Sequence, residues 1–119
     1  MGIAAPALDL ALVPRGEAVV ETGLTYDGIT SVRVRVAKRD GRYKITDDGC
    51  AVLVAGAERH VEYPEQIALG EHSVNVTRHG VVWLPAVSPS DAWLTTVCSL
   101  VAQGSVALYE QLLELEEHA

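Results

Sequence analysis

The run from Val32 to Thr46, VRVRVAKRDGRYKIT, admits one simple local solution. Val32, Val34 and Val36 alternate with Arg33, Arg35 and Ala37, which is the period-two pattern of a strand with one buried face, written in residue types that favour strands. Asp40-Gly41 supplies the two positive-φ positions of a type I′ turn. With those two residues as the loop, Arg39 faces Arg42, Lys38 faces Tyr43 and Val36 faces Ile45. The valines, Tyr43 and Ile45 then share one face, and the core side of the sheet follows from that register.

The opposite face carries Arg33, Arg35, Arg39, Arg42 and Lys44. With Lys38, residues 32–46 hold six of the chain's nine basic residues against one Asp, a local charge of +5. Residues 1–31 sum to −3 and residues 47–119 to −9, within a formal −7 for the whole chain. A basic ribbon sits inside an acidic protein. Two readings fit it: a solvated strand face whose like charges keep a sheet soluble with glutamates as partners, or an anion or partner site.

At 119 residues the chain is expected to form a single domain, long enough for one core and too short for two. Aliphatics must fill that core, because there is no Phe and only Trp83, Trp93 and four Tyr. Cys50 and Cys98 both fall in apolar helical contexts and read as small buried hydrophobes, with no CxxC spacing for a metal or redox pair. The opening MGIAAPALDLALVPRG lacks a basic n-region, is interrupted by Pro6 and Asp9, and is too short to span a bilayer. A cytoplasmic, reduced setting without a membrane partner is the expectation. Residues 1–16 stay open between a short strand and a helical turn.

Glu17 to Thr25 reads as a first strand entering a Tyr26-Asp27-Gly28 turn, so residues 17–46 form a three-stranded antiparallel meander. Thr46-Asp47-Asp48-Gly49 then caps a short helix over 47–57. Threonine and aspartate oxygens accept from a first helical turn, and acidic residues there suit the macrodipole. CAVLVAGA is apolar all round and predicts a mostly buried helix ending near Gly56. Residues 58–72 are polar, with Pro64 and Gly70, and read as a connection with at most a short strand at His60 to Tyr63. His60, Glu62, His72 and His79 match no ligand spacing such as HExxH, which favours single surface histidines and no metal.

A second hairpin is expected over 73–87, from alternating Ser73, Val74, Asn75, Val76 and Thr77, a His79-Gly80 turn, and Val81 to Leu84. The last run is apolar on both faces, as a strand covered on both sides and inside the sheet should be, with Pro85 ending its pairing. Ser88-Pro89-Ser90-Asp91 opens a long amphipathic helix over 88–117, with Ser88 as N-cap. Trp93, Leu94, Val97, Leu100, Val101, Leu108, Leu112 and Leu115 form a stripe wide enough to cover a sheet. Gly104, Ser105 and Ala107 thin it and let another backbone approach, either the chain's own sheet or a second copy of the helix. The expected class is α+β: about five antiparallel strands, one short helix and one long one.

The run YDG, then DG, RYKITDDGCAVLVAG, GVVWLPAV and DAWLTTVCSLVAQGSVALYEQLLEL resembles a bacterial family of domains of unknown function, in which a short hairpin closes on a Thr-Asp-x-Gly helix entry and a helix ends the domain. The resemblance spans residues 17–116 and implies a small bacterial, phage or mobile-element accessory protein. It implies no activity, cofactor or catalytic residue.

The expected function is non-enzymatic interaction, as a homodimer or with a protein partner. The long helix (Leu94, Val97, Val101, Gly104, Leu108 and Leu112) would serve self-association, and the ribbon (Arg33, Arg35, Arg39, Arg42 and Lys44) a partner. The alternative is nucleic-acid or anion binding by the ribbon. A two-stranded ribbon can enter a major groove, but single-strand binders interleave aromatics, and the one aromatic in the ribbon, Tyr43, points to the core. An enzyme is disfavoured, since GxSxG, Walker, GxGxxG and zinc signatures are absent. Asp47, Asp48, His60 and Glu62 would be the first residues to mutate if an activity appeared.

Overall fold

A computed structural model describes residues 17–39, 42–56, 62–86 and 91–117. The fold is α+β. Six antiparallel strands, β1 (Glu17–Thr25), β2 (Ser31–Arg39), β3 (Arg42–Thr46), β4 (Gln66–Leu69), β5 (His72–Val76) and β6 (Val82–Ala86), form one sheet in the order β1-β2-β3-β6-β5-β4. Helix α1 (Cys50–Ala55) follows β3, and α2 (Asp91–Glu117) follows β6.

The first hairpin has the register that its valines dictate: Arg39 opposite Arg42, Lys38 opposite Tyr43, Val36 opposite Ile45. Its loop residues 40 and 41 lie outside the described residues, as do 1–16, His60 and the Ser88-Pro89-Ser90 helix start. Val32, Val34, Val36, Ile45, Val74, Val76 and Val82 are buried on one face of the sheet, where Val97, Val101, Leu108 and Leu112 of α2 cover them. Burying such side chains is worth about 1.5–3 kcal/mol each before chain entropy is subtracted.

Several details depart from expectation. A sixth strand, β4, lies in the stretch read as a connection: Ile67 and Leu69 alternate with Gln66 and Ala68 and pair with β5 across a Gly70-Glu71 turn. The short-strand expectation at His60 to Tyr63 is not met at residues 62 and 63, which carry no strand. β6 is internal, between β3 and β5, but Pro85 ends only the β5 ladder and stays opposite Lys44 of β3. The outer face of β6 is also not sealed, because Trp83 there is only half-buried. In α1, Ala51, Val52 and Ala55 are buried, while Leu53 is 64% exposed and Cys50 half-exposed. The α2 stripe ends at Leu112, with Leu115 56% exposed. Cys98 is buried, and both cysteines are free thiols.

Gly104 explains how α2 comes so near the sheet. A Cβ there would stand 2.3 Å from Val74 Cγ2 and 3.2 Å from Val82 Cγ1. Of the two close approaches that the thinned stripe allowed, the chain's own sheet occupies this one. Among the described residues no helix is long and apolar enough to cross a membrane.

Candidate functional site: the open face of the sheet

Strand alternation sends every second side chain to the face opposite the helices. Pairing aligns these side chains into a row that crosses all six strands: Val19, Arg35, Thr46, Trp83, Asn75, Gln66. Adjacent strands lie about 4.8 Å apart, so the row is about 24 Å long. Glu21 and Arg33 flank it on one side, and Ala37, Lys44 and Pro85 on the other. Most of these side chains are exposed or half-exposed. Thr46, 2% exposed, is the exception.

The charges on this face are partly matched. Arg33 pairs with Glu21 at 3.1 Å, with both side chains well exposed; such a pair contributes about 0–1 kcal/mol. Arg35 is held more firmly. Its Nε donates to Asp48 Oδ2 at 2.9 Å and its terminal nitrogen to Oδ1 at 2.8 Å, a two-pronged contact. Asp48 sits at φ +56°, a left-handed conformation that Asp tolerates better than most residues. Arg42 and Lys44 are exposed, and the Lys44 ammonium lies 5.0 Å from the centre of the Trp83 ring, a cation–π distance. The Arg39 side chain lies outside the described residues.

Beyond Trp83 the face dips into a groove of about 540 Å³ lined by Tyr63, Glu65, Gln66, Asn75, Thr77, Arg78 and Trp83. Gln66 Nε2 donates to Asn75 Oδ1 at 3.3 Å, so the two amides hold each other in place. Trp83 was missed as a site residue because its neighbour Lys44 is 39 positions away in sequence. Only the β3–β6 pairing reveals the contact. That pairing sets an outward aromatic beside the ribbon, on the neighbouring strand.

The other candidates fall elsewhere. Asp47 is 2% exposed and is a structural strut. Its Oδ1 accepts from the N–H groups of Gly49 and Val82, each at 2.9 Å, and its Oδ2 accepts from Ser105 Oγ at 2.7 Å and Ala51 N at 3.5 Å. Tyr26 Oη lies 2.8 Å from Ser105 Oγ, extending the chain to the β1–β2 loop. Burial pushes the Asp47 carboxyl above its usual range, against the pull of these donors. Burial likewise raises Tyr26, with the Ser105 hydroxyl opposing, and raises the Cys50 thiol, which the Asp47 charge raises further. A thiol held protonated is a poor nucleophile.

Asp48 is spent on Arg35, and Glu62 is exposed. His72 begins β5 and His79 lies in the β5–β6 turn, both exposed. Val97, Val101, Gly104, Leu108 and Leu112, named for self-association, all face the chain's own core, and the Leu94 side chain lies outside the described residues. Comparison with protein-family models, with curated proteins and with solved structures finds no match for this chain.

Proposed function

We propose that this chain is a non-enzymatic binding module that holds an acidic partner on the open face of its sheet. The observation that carries the reading is the sharing of one face by the β2–β3 cations and Trp83, with Lys44 against the ring. Unlike charges concentrate a partner and orient it, while an aromatic gives contact area that charge alone does not. The packing of the α2 stripe in the domain's own core supports the hairpin over the helix as the contact surface. Two free cysteines suit a reducing cytoplasm, and a small bacterial accessory role agrees with the family resemblance.

The test is retention on immobilised polyanions, polyglutamate and heparin, at low salt. The wild type should be held and released by salt. An Arg33→Glu, Arg42→Glu, Lys44→Glu variant with an unchanged circular dichroism spectrum should flow through. Equal behaviour of the two proteins refutes the reading.

A further inference from the structure

Resting on that reading, we propose that the partner is a single-stranded nucleic acid, with a base stacked at Trp83, its edge read by Asn75 and Gln66, and its phosphates tracked by Lys44, Arg42 and Arg78. Three features of the row point this way. First, an indole lying half-open on a sheet face, beside cations, is the arrangement that stacks unpaired bases, since every base has a π-face and the contact tolerates any sequence. Lys44 already covers the ring and can swing outward to a phosphate while a base takes its place, exchanging one contact of the ring for another.

Second, the groove next to Trp83 is lined by groups that match the edge of a base. Beyond the bond between them, Asn75 keeps two N–H donors and Gln66 one N–H donor and its carbonyl oxygen, and Glu65 adds an acceptor for a ring or exocyclic N–H. The same donors could also meet a carboxylate, so what favours a base over an acidic side chain is the half-open indole beside them, which offers a stacking face. Arg78, at the same groove, supplies a cation for the backbone on the side away from Lys44. Cations therefore flank the aromatic on both sides, as a strand passing over it requires.

Third, a major groove cannot take the whole row. The major groove is about 12 Å wide and admits a two-stranded ribbon, whereas the row here spans six strands, about 24 Å. A paired base would also keep its faces hidden from Trp83. DNA and RNA share the chemistry used here, and the test includes both.

The experiment is fluorescence anisotropy with labelled dT and rU oligomers of about twelve nucleotides, a length within the usual site sizes, against a duplex of equal length. The wild type should prefer the single strand by at least roughly tenfold, and three phosphate contacts should make log affinity fall with log salt at a slope of about −2. Trp83→Leu should weaken binding on the order of tenfold to a hundredfold, while Trp83→Phe stays within about threefold. The duplex comparison uses the wild type alone and holds even if the leucine variant misfolds. If single strand and duplex bind alike, or if folded Trp83→Leu binds as well as the wild type while Arg42→Glu, Lys44→Glu does not, the stacking proposal falls and the basic face stands. Retention on polyglutamate without binding to any oligomer has the same meaning. If no polyanion is held, both readings fall.

Discussion

Replacing Asp47 tests whether one carboxylate holds the two helices, the β1–β2 loop and the centre of the sheet together. In Asp47→Ala four donors lose their acceptor. Gly49 is half-exposed and water can replace its bond, and the 3.5 Å contact to Ala51 is weak. Ser105 Oγ is buried but can turn its proton to Tyr26 Oη, 2.8 Å away, whereas the buried Val82 N–H has no substitute. An orphaned buried donor costs about 1–3 kcal/mol, so the stranded Val82 N–H and the weakened contacts around it, less the relief of no longer burying a charge, give a loss of about 2 kcal/mol. In a domain of this size that lowers Tm by roughly 6–10 °C.

Asp47→Asn keeps one carbonyl oxygen for Gly49 and Val82 and turns an amide N–H toward Ser105 Oγ, which then accepts. Its cost should be about 1 kcal/mol. The pH dependence has a definite sign. The native carboxyl is raised above its unfolded value, so the folded state holds the proton more tightly. Relative to the asparagine variant, the wild type should gain stability as pH falls from the raised native value to about 3.9, and lose that gain as pH rises. Urea unfolding across pH measures both effects. A loss below about 1 kcal/mol for Asp47→Ala would refute the strut, and equal losses for Ala and Asn would mean that charge, not hydrogen-bond acceptance, carries it.

Gly104→Ala sets a helix-propensity gain of about 0.8–1 kcal/mol against overpacking of about 1–3 kcal/mol, because the new methyl meets Val74 Cγ2 at 2.3 Å. Denaturant titration should show a net loss of about 1 kcal/mol, and a Gly104→Ala, Val74→Ala double variant should be more stable than the two single losses add up to. Asp48→Asn removes the carboxylate that Arg35 grips and should tighten polyanion binding several-fold in the anisotropy assay; unchanged affinity would mean that Arg35 does not reach the ligand. Cys98, buried and pushed up to about 11, should resist alkylation at pH 8 in the native protein and react after unfolding. Cys50, half-exposed, should be modified first in a mass-spectrometric time course.

The parts of the fold legible in the sequence are those set by neighbours along the chain. The Val32–Thr46 hairpin follows from alternation and a two-residue turn, and its register is the one the valines require. β4 was hidden because Gln66 to Leu69 is short and follows polar residues and Pro64. The candidate site was half legible. Its cations stood out by charge, but Trp83 reaches them only through β3–β6 pairing, a long-range contact that no local pattern encodes. Asp47 looked like a simple cap for the same reason. Its partner Ser105 lies 58 residues away on α2, in the gap where the apolar stripe thins.

The strand order has one more implication. β1-β2-β3-α1 and β4-β5-β6-α2 repeat a single plan, three antiparallel strands and then a helix, and the third strands of the two units lie side by side at the middle of the sheet. Arg35, Thr46 and Lys44 belong to the first unit, and Trp83, Asn75 and Gln66 to the second. The cationic and aromatic halves of the row are therefore brought together only when the seam closes. A ligand lying across Thr46 and Trp83 would bridge the two units and favour the joined state by mass action, so occupancy and integrity of the domain become one equilibrium.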